Sequence, residues 1–270
     1  MTESDKEFKG SLPEIYDTYL VPLIFEVYAN DLARRAAALS PRTVLETAAG
    51  SGVVTRALAS RLASDASYMV TDLNQPMLDH AAYRQGSDER ITWRQADALK
   101  VPFDDAAFDV VVCQFGVMFF PDRIAAYAEA WRLLKPGGSF LFNVWDKIDA
   151  NEFAQVVTDT APLVFPDDPP RFLTRTPHGY YELNLIQDEL GKAGFSQVSI
   201  TTLEETSYAP SPRVPAIAYC QGTPLRNEIE ARDASLLDYF TDRATVAIAA
   251  RFGSGPVAGK IRGHIMVATR

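Results

Sequence analysis

Residues 44–59 read VLETAAGSGVVTRALA: a short apolar run, an acid, a loop of tiny residues, then a helical pattern. Strand, tight turn and helix in that order open a βα unit. Gly50 and Gly52 clear the turn of side chains, so bare backbone can approach a ligand. A packed core gains nothing from Glu46 just ahead of the loop; a ligand with a polar group to hold explains it. A dinucleotide loop would read G-x-G-x-x-G, with helix-terminal amides on a pyrophosphate. Here the frame is E-x-A-x-G-x-G, and the third glycine of the dinucleotide pattern would fall at Thr55. The acid ahead of the loop repels a diphosphate and suits a ligand bearing hydroxyls and a cationic amine.

Outward from this loop the rhythm repeats. Strand patterns fall at Val44–Glu46, Ser67–Asp72, Ile91–Gln95, Val110–Gln114 and Phe140–Trp145. Several are near-continuous apolar runs, such as DVVVCQ, which suit strands covered on both faces. In 123–134, Ile124, Tyr127, Ala128, Trp131 and Leu134 share one helical face, and Lys135-Pro136-Gly137-Gly138 stops the helix. Alternating strands and helices give an α/β, doubly wound, mostly parallel sheet with right-handed crossovers.

Upstream, residues 11–39 read as helical. Ser11-Leu12-Pro13-Glu14 is a capping-box pattern, and Pro22 breaks the segment before a second helix at Leu23–Leu39. After Trp145 the rhythm fails. Residues 146–180 hold PLVFPDDPPRF and TPHGYY, a proline-rich insertion with aromatics. A helix at Leu183–Lys192, a strand from Ser196 to about Ala209, a helical stretch over 214–252 and a strand at Ile261–Thr269 follow. The expected organisation is N-terminal cap helices over 1–40 and one domain over 41–270. Its insertions, at about 146–180 and 210–255, are the places for a lid or an acceptor-binding surface.

Composition narrows the function. A chain of 270 residues with 47% apolar residues suits one α/β domain with additions. Its net charge of −9 argues against nucleic acid, whose binding rests on neutralised phosphates. No apolar run reaches the ~18 residues of a membrane span. The polar start, MTESDKEFKGS, has no signal-peptide core. Cys113 and Cys220 fit no metal spacing, and three histidines make a metal site improbable. A cytoplasmic protein is expected; association into a homodimer is compatible with the sequence.

Four segments carry a resemblance. ETAAGSG (46–52) resembles motif I of the class I S-adenosylmethionine-dependent methyltransferases, although Ala48 stands where the first glycine is usual. VTDLNQPML (70–78) resembles the end of their second strand. ADALKVPFDDAAFDVVVCQFGVMFFPD (96–122) resembles motifs III and IV, and EAWRLLKPGGSFLFNVW (129–145) the helix and fifth strand that follow. The resemblance covers roughly residues 43–145 and is similar to the subgroup of ubiquinone/menaquinone-biosynthesis and small-molecule methyltransferases. It implies the seven-stranded Rossmann-like sheet of that family and S-adenosyl-L-methionine as cofactor.

By motif match, the loop at Glu46, Ala48, Gly50 and Gly52 would receive the cofactor. Asp72 would bind both ribose hydroxyls; its bland alternative is a helix cap. Asp97 would face the adenine amino group with the Ala98 amide on the ring, or else be a turn aspartate. Leu73 and Met77 would flank the adenine, unless they are core. Gln114 and Phe115 end the fourth strand where the methyl group should sit, and Gly116 would admit a close ligand. Tyr16 and Tyr19, on a helix that often caps the cofactor in this family, would reach its carboxylate; ring packing is the alternative. His178, among aromatics in the insertion, is the candidate general base, against loop packing. His264 reads as structural.

The implied reaction is in-line methyl transfer to a small-molecule acceptor at O, N or C. Positioning does most of the work and can supply on the order of 7–11 kcal/mol. The aromatic insertion suggests an acceptor with an apolar or planar part. The rivals are an NAD(P)-dependent oxidoreductase on a similar sheet, a non-catalytic S-adenosylmethionine-binding module, and a methyltransferase acting on RNA or protein.

Overall fold

The structure is a computed structural model that describes residues 12–270; Ser11 of the capping pattern lies outside the described residues. The chain opens with α1 (Leu12–Ile15), a π-helical stretch (Tyr16–Phe25) and α2 (Glu26–Ala38). Then come β1 (Thr43–Glu46), α3 (Val53–Ala59), β2 (Ser67–Asp72), α4 (Gln75–Gln85), β3 (Ile91–Gln95) and β4 (Phe108–Gln114). They are followed by α5 (Arg123–Leu133), β5 (Leu134–Trp145), α6 (Glu152–Val164), α7 (Phe172–Arg175) and α8 (Leu183–Lys192). The remainder is β6 (Gln197–Ala209), α9 (Arg213–Gln221), α10 (Leu225–Asp233), α11 (Leu237–Phe252) and β7 (Val257–Thr269).

The chain divides into two compact units. One, the sheet unit, holds residues 26–144, 181–202 and 264–270. The other, the helical unit, holds the residues up to 25 together with 145–180 and 203–263.

The seven strands run in the order β3-β2-β1-β4-β5-β7-β6. β1 is parallel to both β2 and β4, with Glu46 opposite Val70 and Val112. β2 is parallel to β3, and β4 to β5. Gly137 N–H meets Arg270 O and Asp146 N–H meets Arg262 O, so β7 runs against β5. The strand order reverses between β1 and β4. In a doubly wound sheet, that switch point opens a crevice at the carboxyl ends of the strands. Glu46 and Gln114 are those ends.

The DVVVCQ run explains why β4 is central: Val110, Val111, Val112 and Cys113 are all buried, as a strand covered on both faces requires. On one face Tyr127 of α5 packs against Phe140 and Phe142 at 5.9 and 5.3 Å between ring centroids. In the helical unit, Phe153 of α6 meets Phe252 of α11 edge-on at 5.1 Å, and Glu152 takes Arg251 as an ion-pair partner at 2.6 Å. Among the described residues no helix is long and apolar enough to cross a membrane.

Three boundaries differ from the sequence reading. Pro22 does not break the N-terminal helix but sits inside the π-helical stretch, which runs on into α2. A proline ring clashes with the carbonyl four residues back in an α-turn, and the wider π-turn moves that carbonyl away. Lys135-Pro136-Gly137-Gly138 begins β5 instead of merely stopping α5; a Cβ at Gly138 would lie 2.9 Å from both Asp109 O and Lys135 O. The last strand, expected at Ile261–Thr269, begins earlier, at Val257.

Candidate functional site

The loop after β1 packs three left-handed residues into one turn: Ala48 (φ 52°), Gly50 (φ 56°) and Gly52 (φ 77°). Each has its own reason. A Cβ on Gly52 would come within 2.9 Å of Ala81 Cβ, so this glycine lets α3 and α4 approach. A Cβ on Gly50 would meet only the Met77 methyl, at 3.8 Å, which leaves its backbone open. Ala48 keeps its methyl because Gly116 makes room: a Cβ there would lie 2.6 Å from Ala48 Cβ and 2.7 Å from Cys113 Sγ. Gly116 is thus taken up by packing on Ala48, and the expectation that it admits a ligand is corrected.

Asp72 laces the loop to β2. Its Oδ2 accepts the Gly50 N–H at 2.8 Å and its Oδ1 the Asn74 N–H at 2.7 Å, while Ala49 N–H donates to Thr71 O at 3.0 Å. Burial raises its pKa against the lowering effect of these amides. It is not the helix cap; that place belongs to Asn74. The Leu73 amide lowers its pKa as well, and the carboxylate's remaining acceptor capacity is what a ligand hydroxyl would use. Leu73 beside it is 47% exposed, whereas Met77 is core. Asp97 is exposed after β3 and caps its own turn, accepting the Leu99 N–H at 2.9 Å; Ala98 is half-buried.

Glu46 is the main surprise. It is 1% exposed, and its Oε2 accepts hydrogen bonds from Thr55 Oγ1, at 2.7 Å, and from Tyr68 Oη. The premise that a packed core has no use for this acid is corrected: two buried hydroxyls that need an acceptor supply the use. Burial pushes its pKa up to about 7, against the lowering effect of Tyr68, Thr55 and Arg56. Thr55, which breaks the dinucleotide glycine pattern, is one of the residues that satisfy the acid.

At the end of β4, Gln114 is half-buried and Phe115 is buried, edge-on to Tyr28 at 5.2 Å. Phe115 also has a positive φ of 48°, which is uncommon for a bulky residue and a place where local strain is stored. Asn143 holds it there: Asn143 Oδ1 accepts the Phe115 N–H at 2.8 Å, and Asn143 Nδ2 is buried with no hydrogen-bond partner among the described residues. Sequence reasoning missed both Tyr68 and Asn143. The second had a signal, a lone amide inside FLFNVW; the first did not, since tyrosine is ordinary in a strand.

Tyr16, Tyr19 and His178 belong to the helical unit. Tyr16 is half-buried and stacks on Phe25 at 5.1 Å, and Tyr19 is half-buried. His178 is buried, 6.1 Å from the Trp145 ring, with Nδ1 2.8 Å from Asp146 O. A carbonyl only accepts, so Nδ1 carries the hydrogen and Nε2 the lone pair. Burial lowers its pKa from an ordinary 6.5 to about 4. That makes a neutral hydrogen-bond acceptor at physiological pH and only a weak base. Asp146 itself is paired with Arg262 at 2.6 Å. His264 lies in β7 with Nδ1 2.9 Å from Thr202 Oγ1. Among the described residues no group of three or more His, Cys, Asp or Glu side chains is placed to hold a metal ion.

The donor set fits a nucleoside that brings a diol and a cationic group better than it fits a diphosphate: two carboxylates, an open glycine and an exposed leucine. Comparison with known proteins agrees with that chemistry. A methyltransferase-domain family model matches residues 45–142. The demethylmenaquinone methyltransferase of Deinococcus radiodurans is 40% identical over 107 residues, 39% of this chain and 44% of that enzyme. That match thus spans less than half of the relative's own length. The ubiquinone/menaquinone biosynthesis C-methyltransferase of Caulobacter sp. strain K31 is 30% identical over 186 residues, 62% of this chain and 73% of that one. In fold, the chain is similar to phosphoethanolamine N-methyltransferase 2 of Haemonchus contortus, solved with S-adenosyl-L-methionine. The TM-score is 0.59 at 16% identity, over 96% of this chain and 56% of that one.

Proposed function

The chain belongs to the class I S-adenosylmethionine-dependent methyltransferases of the ubiquinone/menaquinone-biosynthesis type, and we propose that it methylates a small, ring-bearing acceptor of the quinone or phenol kind. The observation that carries this reading is the lacing of Asp72 to the open Gly50, which presents a carboxylate and bare backbone side by side. When bound, S-adenosylmethionine supplies a methyl group that a sulfonium already makes electrophilic.

The residues' task is therefore to hold and align. Asp72 receives the ribose hydroxyls, each charge-assisted bond contributing ~1.5–3 kcal/mol. Gly50 lets backbone lie against the nucleoside, Glu46 answers the cationic amino group, Leu73 covers one adenine face, and Asp97 with Ala98 reads its edge. Phe115 and Gln114 border the reacting end. In the helical unit, Tyr16 and Tyr19 are assigned by their hydroxyls to the carboxylate. His178 is assigned to the acceptor: its neutral Nε2 accepts a hydrogen bond from an acidic hydroxyl without removing the proton outright. The ring cluster of Phe25, Trp145 and His178 supports a planar acceptor. Free, buried Cys113 and Cys220 support a reducing, cytoplasmic setting.

The test is calorimetry with S-adenosylhomocysteine, followed by transfer of labelled methyl to a panel of demethylated quinols, phenols and small amines. Micromolar binding with transfer to a ring acceptor is the expected result. Binding of NAD(P) in place of the nucleoside, or transfer only to small hydrophilic amines, overturns the proposal.

A further inference from the structure

The inference concerns Glu46 and rests on the methyltransferase reading above. Three elements converge on this acid: β1 carries it, α3 brings Thr55 and β2 brings Tyr68. Both hydroxyls donate to the same oxygen, Oε2, and Oε1 makes no hydrogen bond among the described residues. We propose that Tyr68 and Thr55 are positioning residues which occupy Glu46 Oε2 and so direct the acid's proton to Oε1, where the cationic amino group of the nucleoside displaces it on binding.

The assignment of the proton follows from valence. A carboxylic oxygen that already accepts two hydrogen bonds has no lone pair left for a third hydrogen. While both hydroxyls donate to Oε2, the O–H of the acid form sits on Oε1. The surroundings then decide whether the acid form exists at all near neutrality. Tyr68 from β2, Thr55 and Arg56 from α3, Asp72 from the end of β2 and Cys113 from β4 face the group. Arg56 favours the carboxylate and Asp72 opposes it. Tyr68 is raised well above its ordinary value, and Cys113 is pushed up to about 12, so neither ionises in the working range. Desolvation outweighs the rest and leaves Glu46 titrating at about 7. A cation brought close to such an acid favours its charged form. Loading then releases a proton, and affinity rises with pH until the acid is fully ionised in the free protein.

A second consequence separates these two residues from ordinary core. A tyrosine that only filled space would leave proton uptake untouched when its hydroxyl was removed. Here the hydroxyl stabilises the carboxylate, so its loss moves the titration upward.

The experiment is calorimetric titration of the full chain with S-adenosylhomocysteine at pH 6, 7 and 8, in buffers of different ionisation enthalpy. For the unaltered chain, about half a proton is released per nucleoside at pH 7, and affinity is about tenfold weaker at pH 6 than at pH 8. Tyr68→Phe moves the midpoint up by about one pH unit. Thr55→Val, which removes the other donor at similar volume, shifts it in the same direction. Glu46→Gln abolishes the release. An unaltered chain that binds equally at all three values with no proton released overturns the inference. So does proton release that persists in Glu46→Gln, which would assign it to Asp72, and so does an unmoved midpoint in both hydroxyl variants. Absence of any binding at every pH removes the methyltransferase reading itself, and this inference with it.

Discussion

The glycine loop of the sheet unit and the surroundings of Arg262 in the helical unit satisfy their polar groups over very different spans of chain. Around the glycine loop the partners are near neighbours: Asp72 holds Gly50 across 22 residues and Asn74 across two, and Glu46 takes Thr55 across nine. In the helical unit Arg262 closes long loops: it reaches Asp146 across 116 residues and Asn151 across 111. The first kind is dictated by one strand–turn–helix–strand unit and is written locally. The second depends on where distant segments come to rest. Non-local contacts of that sort form only after the entropy of closing long loops has been met. The proposed nucleoside site, whose geometry must be exact to a few tenths of an ångström, would thus rest on the local framework.

The sharpest way to break this contrast is Asp72→Ala. If the local lacing is what holds the nucleoside, losing one carboxylate removes two charge-assisted bonds and the anchor of Gly50. Affinity for S-adenosylhomocysteine should fall by at least about a hundredfold, while circular dichroism and thermal unfolding still report a folded chain. Affinity within threefold of the unaltered protein refutes the role.

Next come two opposed pH effects, one in each unit. His178 falls from 6.5 to about 4 on folding, so between those values the unfolded chain binds more protons. Its neutral form therefore contributes stability present above pH 6.5 and lost as pH falls toward 4, about 3 kcal/mol in all. His178→Gln, which keeps a donor for Asp146 O, should flatten that acid limb in urea unfolding. Glu46 has the opposite sign. Its folded value lies above the ordinary 4.5, at about 7. It favours the folded state below pH 4.5, and that advantage disappears as pH rises through 7, again about 3 kcal/mol. Glu46→Gln should gain stability relative to the unaltered chain at pH 8 and show little gain at pH 5. Parallel curves for either variant would mean its burial does not govern titration.

What the sequence could reveal follows the same division. The strand ends at Glu46 and Gln114 were legible because an apolar run stops at a polar residue in each case. The loop was legible because left-handed turns select glycine. The partners of the loop were not. Nothing in SYMVTD says that Tyr68 reaches across to Glu46, since register depends on how β1 and β2 pair. Nor does TPHGYY say that His178 would be buried against Asp146, 32 residues away. Pro22 misled for a physical reason: a helix breaker in an α-turn is tolerated in a π-turn, and turn width is a tertiary choice.

A third, smaller effect tests how tightly the loop and the end of β4 are fitted. Ala48 occupies the usual glycine place only because Gly116 lacks a Cβ. Gly116→Ala should cost about 2 kcal/mol of stability through overpacking. Ala48→Gly in the same chain should return the part due to the Ala48 methyl and leave the part due to Cys113 Sγ, and a double-mutant cycle by urea unfolding measures the coupling. Additive effects would mean the two turns adjust independently.

Gly50→Ala carries the smallest expected effect on stability and separates folding from binding most cleanly. The added methyl would meet nothing nearer than the Met77 methyl at 3.8 Å, so no clash opposes it. What remains is the backbone: φ is +56°, a region where a Cβ costs about 1 kcal/mol. Unfolding should register that amount and little more. The methyl would nonetheless stand on the open side of the loop, where the nucleoside is proposed to lie against bare backbone. Affinity for S-adenosylhomocysteine should therefore drop by more than the roughly fivefold that 1 kcal/mol represents. A binding loss no larger than the stability loss would mean that this glycine serves the turn alone, and that the local framework is built for folding before it is built for the ligand.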